Sequence, residues 1–346
     1  MKRIAYWALP LLLIGALTTQ GLAQAPPAPA QPPKEEPKWG STKQYEEYIA
    51  CFKETDHAKK AACAEKFLVD HKGADPIVIT DTYKMVLFGY ANAGNWPKTI
   101  ETIERQSIAP RLTDADKKQY NQIGMVAAVN SKNNPKTIEY AEKVLKDDPK
   151  NANALITLSG VLSQNLPTTS PQKETQIART LDITRQALAA PKPQGIADAQ
   201  WNPVQLQLRE TMCLMLLNQQ KYKESIAECQ EALKINAKDG FAWYWIGLSH
   251  KAALVELATK YEAAVKDYND NRSAGQLVVD EKTAVMQGAL KQASDKKDET
   301  IDAFARAAAI GGDAGTQAQG ELKKLFEGTP DALDKIIQDK KSQLGN

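Results

Sequence analysis

The stretch at residues 221–247, KYKESIAECQEALKINAKDGFAWYWIG, decides the fold. Its first part sets Tyr222, Ile226, Cys229, Ala232, Leu233 and Ile235 on one face at helical spacing. A polar break at 236–240 follows, and Trp243, Ile246 and Gly247 then begin a second apolar face. One helix closes a hairpin here and the next helix opens another. Small residues stand where two helices must approach closely, and bulky ones where a further helix packs over them.

This arrangement resembles the tetratricopeptide repeat of an exported bacterial type. Trp243 followed by Ile246 and Gly247 stands for the opening-helix signature, and Ala232 for the small residue of the closing helix. It departs at Ser225 and Cys229, where the family more often has Ala and an aromatic, and at Ala237, where it has Pro.

A period near 34 residues runs outward from this stretch in both directions. Upstream, Tyr83, Val86, Tyr90, Asn95, Trp96 and Ile100 form one unit, and Tyr120, Ile123, Gly124, Ile138, Ala141, Leu145 and Pro149 another. Leu155, Leu158 and Leu162 open a fourth, which takes an insert around LPTTSPQKE and closes with Leu181, Ala187, Leu188 and Pro191. The first hairpin is degenerate, with Tyr45, Tyr48, Phe52, Ala61, Ala64 and Phe67 as its apolar set. The expected units are about 42–74, 80–111, 117–150, 152–191, 204–239 and 240–312. Together they read as an all-α solenoid of helical hairpins over 41–346, since one such hairpin cannot bury its own face and its neighbours must stack on it.

The last unit departs most, with about 40 extra residues between Gly247 and the closing set Ile301, Phe304, Ala307 and Ala308. Leu254, Leu257, Tyr261, Ala264 and Tyr268 continue the opening helix, and Val278, Val285 and Ala289 give a weaker returning seam. The pattern predicts an overlong antiparallel hairpin with its tip at 269–275. The alternative is a separate short helix, a turn at 294–298, and Gly288 as the crossing glycine of an extra repeat. Residues 313–346 end in the polar QDKKSQ, as expected of a capping helix.

At the N-terminus, Lys2 and Arg3, an apolar run over 4–17 and small residues near Gly21 and Ala23 have the three parts of an export signal, cut after Ala23. The run is short of the ~20 residues a membrane span needs. Residues 24–40, QAPPAPAQPPKEEPKWG, are too rich in Pro for helix or sheet and read as a semi-extended linker. The formal net charge is +2, and both surplus positives, Lys2 and Arg3, lie in the leader. A mature chain close to neutral offers no electrostatic footprint for nucleic acid or anionic membrane. The expectation is a periplasmic or secreted protein without stable membrane insertion.

Chemical motifs are absent from the pattern. His57, His71 and His250 have no metal-ligand spacing, and Cys51, His57, Cys63 and His71 fit none of the usual zinc patterns. No GxSxG, Gly-rich phosphate loop or acidic metal loop occurs, so neither catalysis nor a cofactor is expected. Cys51 and Cys63 flank the turn of the first hairpin, and Cys213 and Cys229 that of the fifth. Each pair can face across its hairpin as a disulfide in an oxidising compartment, or all four serve as small buried apolar residues.

The resemblance implies a concave groove lined by opening helices, where Lys84, Phe88, Asn121, Met125, Glu210, Leu214, Tyr244 and Leu248 would stand. That set is mixed in polarity and lacks the regular Lys and Asn pattern with which some members clamp a terminal carboxylate. The function implied is a non-catalytic interaction scaffold that binds a protein or peptide through groove or arm. The alternative is a structural or assembly component of the cell envelope.

Overall fold

The computed structural model describes residues 35–164, 166–167, 171–193 and 196–345. The expected leader at 1–23 and linker residues 24–34 lie outside the described residues. Fourteen α-helices and no strand are found among the described residues. The described residues divide into two compact units, those of 35–164 with 190–196, and those of 165–189 with 197–345.

The first unit holds α1 (Thr42–Lys53), α2 (His57–Asp70), α3 (Pro76–Asn92), α4 (Trp96–Glu104), a 3-10 turn (Gln106–Ile108), α5 (Asp114–Asn130), α6 (Asn134–Asp147) and α7 (Ala152–Gln164). Each helix from α1 to α7 packs on the next. Tyr83, Tyr120 and Tyr140 are fully buried, as are Val86, Leu87 and Leu155. The second unit holds α8 (Gln172–Ala189), α9 (Asp198–Asn218), α10 (Tyr222–Ile235), α11 (Gly240–Asp270), α12 (Gln276–Ile310), α13 (Gly312–Leu325) and α14 (Pro330–Gln343). Its core runs from Ile177, Leu181, Met212 and Met215, through Cys213, Cys229, Ala232 and Ile246, to Phe304, Ala307, Ala318 and Leu322.

The repeat is visible in the backbone itself. Gly94 (φ 70°), Lys132 (54°) and Gln220 (60°) take the left-handed conformation just past α3, α5 and α9. In each case the following N–H reaches back to a carbonyl of the last helical turn: Asn95 to Tyr90 at 2.9 Å, Asn133 to Ala128 at 2.9 Å, and Lys221 to Leu216 at 3.0 Å. The same Schellman closure, which satisfies carbonyls that the helix end leaves orphaned, thus recurs in three hairpins. Asn95 and Asn133 then cap α4 and α6, each with a Pro in the first helical turn where its missing N–H costs nothing.

Close helix approach is set by glycine at two equivalent places. A Cβ on Gly124 would stand 2.8 Å from the Tyr140 ring, and one on Gly247 would stand 2.5 Å from Phe304. These crossings and the repeated turns make the fold tetratricopeptide-like.

The last hairpin is extended, as its spacing predicts. Helix α11 has 31 residues and α12 has 35. Both are continuous, so the alternative break at 294–298 does not occur. In α11 the buried residues end at Ser249, and in α12 they begin at Thr300. Everything between is a two-helix arm turned by residues 271–275. Helices α13 and α14 cap its base, where Ala314, Ala318, Leu322 and Leu333 cover Tyr244 and Phe304.

Candidate functional site

The expected groove residues fall in both units, four in each, and several are already engaged. In the first unit Lys84 Nζ lies 2.8 Å from Asp116 Oδ1. Burial raises the Asp116 pKa, but the Lys84 contact and the Thr113 cap outweigh it and hold the carboxyl below its ordinary value. Phe88 is half-buried, its ring set edge-on to Tyr120 with centroids 6.4 Å apart. Met125 is only 3% exposed, so it packs rather than offering surface. Asn121 stands in an open cleft of about 400 Å³ with Asp114, Lys117, Lys118, Lys143, Lys146 and Asp147.

In the second unit Leu214 and Leu248 are half-buried against separate core clusters. Tyr244 is 8% exposed and packs on Phe304 at 5.8 Å between ring centroids. Its place in the core follows from the arm base, where α12, α13 and α14 cover the side of α11 expected to face a groove.

Glu210 is the unusual member. Its carboxyl hydrogen-bonds that of Asp239, and burial first, then the Asp239 charge, pushes its pKa up to about 9. Asp239 is 6% exposed, and its Oδ1 accepts the N–H groups of Phe241 at 3.0 Å and Ala242 at 3.3 Å, capping α11. Its Oδ2 is buried and has no donor among the described residues unless Glu210 carries a proton. Burial raises the Asp239 pKa as well, but two backbone donors and the Glu210 contact oppose it, which favours the shared proton on Glu210. Glu210 therefore meets the cap of the arm helix rather than standing alone in a groove.

A second cleft, missed from the sequence, lies at the arm base. It measures about 370 Å³ and is lined by Gln230, Trp243, Ile246, His250, Asp298, Glu299, Asp302 and Ala303. His250 Nδ1 is 3.3 Å from Glu299 and 3.3 Å from Lys296 Nζ, and burial followed by the Lys296 charge lowers its pKa. Arg306 stacks 4.8 Å over Trp243 and pairs with Asp302 at 2.8 Å. The pairing of 243 with 298–306 depends on how far the arm helices overrun, and no local spacing encodes it.

The cysteines sit at disulfide distance in the predicted pairs. Cys51 and Cys63 have Cα atoms 5.4 Å apart, Cys213 and Cys229 5.3 Å apart, inside the range a disulfide spans. His71 of the discarded zinc set meets Glu47 at 2.6 Å. Among the described residues no group of three or more His, Cys, Asp or Glu side chains is placed to hold a metal. Nor is any helix among them long and apolar enough to cross a membrane.

No protein-family model matches the chain, and no curated protein matches it. Among solved structures it is similar to MamA of MSR-1, at 15% identity and TM-score 0.36, over 63% of this chain and 97% of that one. It is also similar to the C-terminal part of a TPR repeat-containing protein from Cytophaga hutchinsonii, at 13% identity and TM-score 0.35, over 84% and 98% of the two chains. Likenesses this loose carry no functional information.

Proposed function

We propose that this chain is an exported, non-catalytic scaffold that holds a protein or peptide partner, with the arm as its principal contact element. The arm carries this reading. Residues 250–299 contribute nothing buried to the fold, yet they display Val255 (62% exposed), Leu277 (87%), Val278 (37%), Val285 (53%) and Leu290 (47%). Apolar side chains kept on a projection that the core does not need mark an interaction element. The groove set supports a lesser role, because Met125 and Tyr244 are buried and Lys84 is ion-paired. Export is supported by the leader pattern and by cysteines at bonding distance, which persist as disulfides only in oxidising compartments.

The test is affinity capture from an envelope fraction with three baits: the intact chain, a chain whose residues 251–298 are replaced by a short turn, and a Lys84→Ala/Asn121→Ala variant. Loss of a discrete soluble partner with the shortened arm alone is the expected result. Retention by that bait and loss by the double variant would move binding to the groove set. Recovery of one large insoluble assembly would favour the alternative, a structural or assembly component of the envelope.

A further inference from the structure

We propose that the outer face of α1 docks the proline-rich segment, residues 24–34, of a second copy of this chain. This goes beyond the scaffold reading and does not depend on the arm. The face is a row of aromatic rings. Tyr45, Tyr48, Ile49 and Phe52 recur at i, i+3, i+4 and i+7 on α1, and Tyr45 (45%) and Phe52 (58%) remain exposed. Trp39, just before the helix, extends the row, with its ring 5.1 Å from Tyr45 and 5.1 Å from Tyr48. Tyr48 and Phe52 follow at 6.4 Å with planes 13° apart. An end helix of a repeat stack ordinarily turns a polar face outward. Here the outward face is aromatic.

The chain itself carries the complementary ligand. Pro26, Pro29 and Pro32 recur at every third residue. A polyproline helix has three residues per turn and rises about 3.1 Å per residue, so these prolines would share one edge at a spacing of about 9 Å. From Tyr45 to Phe52, α1 advances about 10.5 Å at ~1.5 Å per residue, so neighbouring prolines match the two ends of the ring row. Such a helix makes no internal hydrogen bonds and leaves its carbonyls free for tyrosine hydroxyls. Aromatic-lined surfaces recognise this shape at low entropic cost. Lys60 stands 5.9 Å over the Phe52 ring and closes that end of the row.

The segment that docks belongs to another copy because its own chain leads away. Glu35 pairs with Arg111 at 2.5 Å, and the Lys38 N–H meets Asp75 at 3.4 Å. Those contacts hold residues 35–38 on Arg111 and on the cap of α3, whereas the ring row runs from Trp39 along α1 to Phe52.

Sedimentation equilibrium of the chain from Gln24 onward, over a wide concentration range, tests this. The comparison is with Tyr45→Ser/Phe52→Ser, with Pro26→Ala/Pro29→Ala/Pro32→Ala, and with added free peptide of residues 24–37. Expected is concentration-dependent self-association that each variant weakens about tenfold or more and that the peptide reverses. Circular dichroism checks that the α1 variant folds. If it does not, the proline variant, which leaves every described helix untouched, decides alone. A chain that stays monomeric throughout overturns the proposal, including the case where the peptide still binds because each tail covers its own α1. Association that persists in the proline variant overturns it too, by placing the contact elsewhere.

Discussion

Hairpins α9/α10 and α11/α12 follow one another in the chain and end as opposite structures. The first closes through a left-handed Gln220, sits against neighbours on both sides and buries eight residues of α9. The second has a close crossing at its base, Gly247 on Phe304, but its helices run on together and turn openly at 271–275. Beyond Ser249 nothing in α11 is buried, although the apolar seam continues. A seam between two helices covers only one side of each. A third layer is what turns half-burial into a core, and in the arm that layer is absent among the described residues.

The sharpest way to break the contrast is to cut one large side chain from each part. Phe304→Ala empties a fully buried site at the arm base and should cost about 3–5 kcal/mol. Leu277→Ala, at 87% exposure, should change stability by less than about 0.5 kcal/mol. Urea denaturation of both variants would show it, and equal losses would mean that the arm is packed in solution.

Next in size is the staple at the compact hairpin. A bond between Cys213 and Cys229 closes a loop of 16 residues, so reduction should lower stability by about 3 kcal/mol. Non-reducing peptide mapping decides first whether both pairs are bonded. Four free thiols after oxidative export would end the staple reading.

The Glu210–Asp239 pair links the two hairpins and gives a pH signature. The folded pKa of Glu210, about 9, lies above its ordinary 4.5, so the folded state holds a proton that the unfolded chain has lost. The stability from this group is complete below about 4.5, falls as pH rises, and is gone above about 9. Glu210→Gln keeps a donor for Asp239 Oδ2 without titrating. Its melting temperature, relative to wild type, should rise steadily across that window and then level off. A constant difference would show that Glu210 does not hold the proton.

The smallest effect is at the turn. Gln220→Gly relieves a left-handed residue and should stabilise by about 0.5–1 kcal/mol, while Gly275→Ala in the arm turn, where a Cβ meets nothing, should do little. Thermal melts of the two variants compare them directly.

Most of the fold was legible because its signals are local. Trp243, Ile246, Gly247 and Ala232 mark helix faces by spacing, and Asn95 with Pro97 marks a turn by backbone chemistry. The overlong last hairpin was also readable, since Leu254, Leu257, Tyr261, Ala264 and Tyr268 keep one face for several turns. The candidate site was less so. Met125 and Tyr244 stood at positions that face a groove in a regular array, but Tyr244 is covered because α13 and α14 fold over the arm base. The raised pKa of Glu210 depends on Asp239, 29 positions later in sequence, and on desolvation where the two carboxyls meet.

The sequence by itself determined that the chain is helical, that its last hairpin is overlong, and which cysteines could meet, because helix caps, apolar period and turn length act within a few residues. Only the tertiary structure decided which of those faces stay open. Exposure depends on what a third helix covers, and that is why Tyr244 became core while Tyr45 and Phe52 on α1, and the arm's Leu277, remained at the surface.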